Sequence, residues 1–341
     1  MKAIVSYFPE FRTQVMKELA VIDAKQRKRF TDLISLVESP LEGIEANQKL
    51  LASKPVFIRH IFPVLAEGIA TADKDETCAR ILEAVVPFCK IAPGEGFAVQ
   101  CRLRGTELDW TAKDVEVFIG KHFDALGGIP VFADKRIINE DIWIISIFLY
   151  GNQFYAGFSR ASQNLSSHSD EHRVLSRDSR EISRAEKKLK EAINAFHIEV
   201  AGNGNALDMG ASPGGWTKVL ADYGFHVSAV DPGDLHESLR SHPRIKHYKA
   251  RVENVRFDIP FEIIVNDMNV DPQITAEIMN NLAERLVSKG LAIVTLKLPF
   301  SDVDRSVRES LAILDKEYTL LHLRNLSHNR SEITAVIQRK N

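Results

Sequence analysis

Residues 205–216 read Asn-Ala-Leu-Asp-Met-Gly-Ala-Ser-Pro-Gly-Gly-Trp, and residues 231–234 read Asp-Pro-Gly-Asp. The stretch between and around them patterns as a buried strand, a glycine-rich turn, a short helix and a second strand that ends in an acid. In such a unit a ligand lies outside the carboxyl ends of parallel strands. The turn is spaced Gly-x-x-x-Gly-Gly, whereas Gly-x-Gly-x-x-Gly seats a pyrophosphate on a helix N-terminus. Gly210, Gly214 and Gly215 allow close backbone approach, and no Lys-Ser/Thr pair follows to hold phosphates. This favours a nucleoside without a phosphate chain, such as S-adenosylmethionine. Asp231, 21 residues after Gly210, stands where both ribose hydroxyls could be taken. The turn alone does not separate that reading from glycine used only for tight strand–helix packing.

Downstream, strands are predicted at 205–210, 226–231, 261–267, 291–298, about 318–326 and 332–338. Helices are predicted at about 215–223, 273–288 and 302–316. The alternation predicts an α/β, Rossmann-like, mostly parallel sheet with helices on both faces. Upstream, apolar residues at helical spacing predict helices over 9–22 and 27–38 (Phe30, Leu33, Ile34, Val37) and again over 75–90. Residues 55–64 read as a connecting strand. From 96 to 160 the pattern turns α+β: a strand at 97–104, an amphipathic helix at 113–123, and two strand runs within 142–158 around a break at 150–153. Their sidedness predicts Arg102, Arg104 and Arg160 near one edge.

Residues 161–181 are polar and serine-rich and mark a domain boundary. Arg173, Arg177, Arg180 and Arg184 make it locally basic, which suits either a solvated linker or contacts to RNA phosphates.

The 341 residues allow two or three domains, and a net charge of −2 excludes a wholly basic nucleic-acid binder. Residues 181–341 carry 21 Lys+Arg against 22 Asp+Glu, leaving 23 against 24 for residues 1–180, so any electrostatic footprint is local. Apolar runs are too short to span a bilayer, and the N-terminus lacks a signal-peptide pattern. Cys78, Cys89 and Cys101 have no Cys-x-x-Cys pairing, which predicts reduced thiols in a cytoplasmic protein and no zinc site. No metal-ligand cluster is visible.

Polar residues that packing does not require gather at predicted strand ends. Asp267 ends Ile263-Ile-Val-Asn-Asp. Lys297 interrupts Leu291-Ala-Ile-Val-Thr-Leu-Lys, a costly place for an amine unless it reaches a partner or snorkels to solvent. Glu332 opens the last strand, and Lys188 lies on a helix starting near Ser183.

Taken together, Lys188, Asp267, Lys297 and Glu332 resemble the lysine–aspartate–lysine–glutamate tetrad of the FtsJ-like ribose 2′-O-methyltransferases. The match spans 183–339 and includes Ser183-Arg184 before Lys188-Leu189, the 208–216 turn, Asn266-Asp-Met268, Leu296-Lys-Leu-Pro299 and Asn329-Arg-Ser-Glu332. The wording of Val230-Asp-Pro-Gly and Leu296-Lys-Leu-Pro is most similar to the large-subunit ribosomal RNA methyltransferase M group. That resemblance implies methyl transfer from S-adenosylmethionine to an RNA ribose 2′-hydroxyl, with large-subunit (23S-type) ribosomal RNA as the expected substrate. It implies catalytic roles for the tetrad and a cofactor site built from Asp208, Gly210, Ser212, Pro213, Gly214, Gly215, Trp216 and Asp231, with Asp267 near the methionine end. Lys297 would either take the 2′-hydroxyl proton, which needs a depressed pKa, or stay charged and stabilise an alkoxide. The resemblance also implies domains at 1–64 (ferredoxin-like or helical), 65–165 (similar to a THUMP RNA-binding domain), a basic linker at 166–182, and the methyltransferase at 183–341. One departure stands out: Ala250-Arg251 occupies the place where the family has an acid near the adenine, with Glu253 as a possible substitute. Competing readings are a nicotinamide-dependent oxidoreductase, a non-catalytic RNA-binding protein, and the same chemistry on transfer RNA or a cap.

Overall fold

The computed structural model describes residues 1–105, 108–131, 141–165, 182–200 and 202–341. The chain divides into two compact units, residues 1–171 and residues 172–341.

The first unit opens as β1 (Lys2–Tyr7), α1 (Arg12–Leu19), β2 (Lys25–Arg29), β3 (Ile34–Glu38), α2 (Gly43–Ala52) and β4 (Ile58–Pro63). The sheet order β2-β3-β1-β4, with β1 antiparallel to both neighbours, is the split β-α-β arrangement of ferredoxin-like folds. The helix expected over 27–38 is therefore wrong. Thr31 turns the chain instead, its Oγ1 accepting from the Leu33 and Ile34 amides at 3.1 Å each. The apolar residues misled because this strand is buried on both faces. Ile34 and Leu36 join Phe148 and Tyr155 in one cluster, while the buried Ser35 exchanges a hydrogen bond with Tyr7 at 2.8 Å. A short apolar run of that kind carries no clear period.

The unit continues as β5 (Ala66–Ile69), α3 (Lys74–Val85), β6 (Gly96–Arg104), α4 (Ala112–Ala125), β7 (Ile129–Pro130), β8 (Trp143–Tyr150) and β9 (Gln153–Arg160), forming a sheet of order β5-β9-β8-β6-β7. The β8–β9 hairpin turns at Gly151. The three arginines do not share an edge. Arg160 pairs across from Trp143, which aligns with Phe97 at the start of β6, whereas Arg102 and Arg104 align with Phe148 and Tyr150 at its other end. Arg102 is buried, and Arg160 is tied to Glu95 at 3.0 Å and lies over the Trp143 ring.

The second unit runs α5 (Ala185–Ala195), β10 (Asn205–Met209), α6 (Gly215–Asp222), β11 (His226–Val230), α7 (Glu237–Arg240), β12 (Ile245–Tyr248), β13 (Phe261–Asn266), α8 (Pro272–Asn281), β14 (Leu286–Lys297), α9 (Val303–Leu314), β15 (Tyr318–Arg324) and β16 (Glu332–Arg339). Its sheet order is β12-β11-β10-β13-β14-β16-β15. The first five strands are parallel, and β16 is antiparallel to both neighbours. The predicted α/β sheet is present, with β12 and α7 added. The helix expected to reach 288 stops at Asn281, because Leu286 already begins the long β14. Strand order reverses direction between β10 and β13, the crevice where open α/β sheets take their ligands. Leu189 and Ile193 of α5 and Trp216, Val219 and Leu220 of α6 bury against β10, β11, β13 and β14 in one core. Among the described residues no helix is long and apolar enough to cross a membrane.

Candidate active site

The glycine turn begins where β10 stops. Gly210 has φ +77°, and a Cβ there would lie 2.9 Å from the Met268 nitrogen. The turn and the segment after β13 thus approach backbone to backbone, and the Asp267 amide donates to the Met209 carbonyl at 3.1 Å. Gly215 opens α6 under a different constraint. A Cβ there would stand 2.2 Å from Ser183 Oγ and 3.1 Å from the Glu186 nitrogen, so this glycine seats α5 against α6. Gly214 caps α6. Ser212 donates to the Asp234 carbonyl at 2.9 Å, and the His236 amide donates to the Pro213 carbonyl at 2.8 Å, stitching this turn to the one after β11. Asp231 directly follows β11 and accepts the Gly233 amide at 2.6 Å.

Trp216, expected at the cofactor, is buried in the core. Its Nε1 donates to the Ala185 carbonyl at 2.7 Å, so it anchors the start of α5. Asp208 is also deeply buried, 1 % exposed. Its Oδ2 accepts the Thr217 hydroxyl at 2.5 Å, while its Oδ1 is buried without a hydrogen-bond partner in the structure. Burial raises its pKa from 3.8 to about 7, and the carboxylates of Asp267 and Asp231 push the same way, against the Thr217 hydrogen bond.

Lys188, Asp267, Lys297 and Glu332 come together from four elements. Lys297 ends β14 and faces Glu332 at the start of β16 as its antiparallel register partner. Its Nζ donates to Asp267 Oδ1 at 2.6 Å and to Glu332 Oε2. Lys188, from α5, lies 3.3 Å from both Asp267 oxygens and 2.5 Å from Glu332 Oε1. The four side chains form a ring of alternating charge, between 7 % and 20 % exposed.

Burial alone would lower the Lys297 pKa, but Asp267 and Glu332 outweigh it and hold the amine above its ordinary value. Burial likewise works to raise Asp267, and the two lysines with the Lys297 and Thr295 hydrogen bonds bring it below the usual carboxylate value. The depressed Lys297 pKa that a resting general base needs is absent. Lys297 is an ammonium at neutral pH.

Other residues hold the ring, and of these only Asn329 stood in a motif noted from sequence, without a role. Thr295 lies two positions before Lys297 and donates to Asp267 Oδ1 at 2.7 Å. Strand alternation places it on the Lys297 face, and that was the available signal. Asn329 Nδ2 reaches Glu332 Oε1 at 3.4 Å, and Asn325 Nδ2 donates to the Glu332 carbonyl at 2.7 Å. Glu191, three residues after Lys188, accepts the amides of Ser327 and His328 at 2.8 Å each and contacts His328 Nδ1 at 2.7 Å. These contacts tie α5 to the loop before β16.

Arg184 is exposed at the N-terminal end of α5, while Arg173, Arg177 and Arg180 lie outside the described residues. Past β12, Arg251 and Glu253 are both exposed. Among the described residues no His/Cys/Asp/Glu group is placed to hold a metal ion.

Residues 182–318 match the model of the FtsJ-like methyltransferase family. This stretch is an FtsJ-like methyltransferase domain. Curated relatives share the name Ribosomal RNA large subunit methyltransferase M. The one from Shewanella denitrificans is 34 % identical over 242 residues, covering 65 % of each chain. That from Alkalilimnicola ehrlichii is 36 % identical over 169 residues, 46 % of each chain, and that from Pseudoalteromonas translucida 32 % over 203 residues, 55 % of each. The chain thus spans less than two thirds of the length of these relatives.

The methyl donor of such a domain is S-adenosylmethionine, and the residues fit it. The Gly210 turn admits a ligand close to the backbone, Asp231 offers a carboxylate at the end of β11, and the orphaned Asp208 Oδ1 is an acceptor awaiting a donor.

Proposed function

We propose that the protein is an S-adenosylmethionine-dependent ribose 2′-O-methyltransferase that acts on large-subunit ribosomal RNA in the cytoplasm. The observation that carries this reading is the closed ring of Lys188, Asp267, Lys297 and Glu332 beside the switch point of the sheet. The curated relatives' name supports ribosomal RNA over other RNA. In the same reading residues 1–64 and a THUMP-like module at 65–165 present the RNA, and Arg184 with the basic 166–182 segment contacts its phosphates.

The bound cofactor supplies an electrophilic methyl group on a sulfonium. An ammonium has three donors, and Lys297 gives two to Asp267 and Glu332. The third is left for the ribose 2′-oxygen. Lys297 would hold that oxygen in line and stabilise the negative charge that builds on it as its proton passes to a solvent water. Asp267 and Glu332 keep the amine charged and fixed, Lys188 keeps the two acids from repelling each other, and Thr295 fixes the Asp267 carboxylate. Lys297→Ala is the direct test. It should abolish 2′-O-methylation of ribosomal RNA taken from a strain lacking the protein, with S-adenosylmethionine affinity near wild type. Retained turnover would rule the role out.

A further inference from the structure

The loop that follows Lys297 carries a side chain that the site described so far does not use. Phe300 is 88 % exposed, ahead of Ile44 at 77 % among the large hydrophobic residues described. The loop is pinned at both ends. Leu298 is buried and its amide donates to the Ser331 carbonyl at 2.8 Å, and Val303 is buried at the start of α9. Between them residues 299–302 all stand in solvent. Phe300 is three residues beyond Lys297, so their Cα atoms lie within about 11 Å even if the chain is fully extended. The loop leaves the carboxyl end of β14, the edge of the sheet at which ligands bind.

Single exposed apolar residues are common and need no special account. Two features separate this one. It is an exposed aromatic ring on a short loop with buried anchors, and that loop starts from the lysine that is to receive a ribose. Its chain neighbours are Pro299, Ser301, Asp302 and Asp304, with Arg305 and Arg308 exposed on α9, so along the chain it stands among mostly polar and charged residues. A lone ring in polar surroundings suits one flat ligand face, and unpaired RNA bases are held by stacking on such rings.

Resting on the methyltransferase reading, we propose that Phe300 stacks on a base of the RNA substrate next to the reacting ribose and so sets which ribose reaches Lys297. Stacking acts through the π-face, so it should be kept by Phe300→Trp and lost by Phe300→Ala and Phe300→Leu alike. The test uses the full-length protein, labelled S-adenosylmethionine, and ribosomal RNA from a strain lacking the protein. The Ala and Leu variants should raise KM for RNA roughly tenfold or more, with kcat, cofactor affinity and melting temperature close to wild type; the Trp variant should restore the wild-type KM. A wild-type KM in Phe300→Ala overturns the proposal. So does a Leu variant that binds as well as Phe, which would make the contact merely apolar, or a fall confined to kcat. If the wild-type protein itself transfers no methyl group to the RNA, the methyltransferase reading fails, and the proposal falls with it. If wild type is active and the Ala variant is unchanged, the stacking role alone fails.

Discussion

Asp208 offers a test whose size can be worked from its surroundings. The carboxyl is buried, one oxygen has no partner, and its pKa stands at about 7 against an ordinary 3.8. This acid is raised by folding, so between those two values the folded chain keeps a proton that the unfolded chain has lost. The protonated carboxyl therefore stabilises the fold fully below about pH 4. That stability is lost as pH rises toward 7 and stays lost above it. A shift of this size corresponds to roughly 4 kcal/mol in all, of which about 2.5 kcal/mol falls between pH 5 and pH 8. Asp208→Asn keeps the shape and can still accept the Thr217 hydroxyl, but it does not titrate. Its amide nitrogen, set where Oδ1 now lacks a partner, adds a pH-independent cost of about 1–3 kcal/mol.

The informative quantity is therefore a double difference. Urea unfolding of wild type and Asp208→Asn would be followed at both pH values by Trp216, which is buried in the core of the second unit. Trp110 and Trp143, the other two tryptophans, would be replaced by Phe in both backgrounds so that only this unit is read. The variant should gain about 2.5 kcal/mol on wild type on going from pH 5 to pH 8. Groups that titrate identically in both proteins cancel. An unchanged difference between the two proteins at the two pH values would show that Asp208 ionises in the folded state as an ordinary carboxyl, and the account of its burial would be wrong.

Two further outcomes follow from the same site. Lys297 is held above its ordinary value by Asp267 and Glu332, so the single-turnover methylation rate at saturating S-adenosylmethionine, where titration of Asp208 cannot limit cofactor binding, should be level from about pH 6 to about pH 9. A tenfold rise per pH unit over that range would mean that the amine must first lose its proton, contrary to its proposed role. Gly210→Ala places a methyl group 2.9 Å from the Met268 nitrogen at a φ of +77°, which should lower the melting temperature and weaken S-adenosylmethionine binding together. Calorimetry showing wild-type affinity would remove this turn from the cofactor site.

The second unit was legible because its central strands β10, β11, β13 and β14 are apolar runs between strong punctuation and alternate with helical segments. Glycines, a proline and acids mark where β10, β11 and β13 end, and those ends are where the candidate residues stand. β12 was missed because only Ile245 and Tyr248 in it are apolar or aromatic, and both are half-buried at the sheet's edge. In the first unit, β3 hid in a helical pattern, since a strand covered on both faces shows no alternation, and β2 beside it is a charged, exposed edge strand with no apolar residue to mark it. Trp216 shows a different limit. A tryptophan that closes a glycine turn reads equally well as a ring on a ligand or as a ring in the core, and only the Ala185 contact separates them. The charge of Lys297 was beyond sequence for a further reason: it is the balance of burial against two carboxylates whose distances are set by strand register and by the reach of β13.

That balance also accounts for the second lysine. Asp267 and Glu332 must lie close together if both are to grip Lys297, and two carboxylates in a half-buried site repel each other. With Lys297 alone the cluster would carry a net negative charge, and one acid would be driven to take up a proton and release its hydrogen bond. Lys188 brings the charge to zero and fills the opposite corner of the ring, so both acids can stay ionised. It reaches the ring from a helix outside the sheet, and that helix is held from two directions: by Trp216 on the Ala185 carbonyl, and by Glu191 on the Ser327 and His328 amides. Loosening either anchor would leave every catalytic residue present while returning a negative charge to the site. The residues around α5 are thus part of what keeps Lys297 correctly placed, acting through Lys188 and the ring.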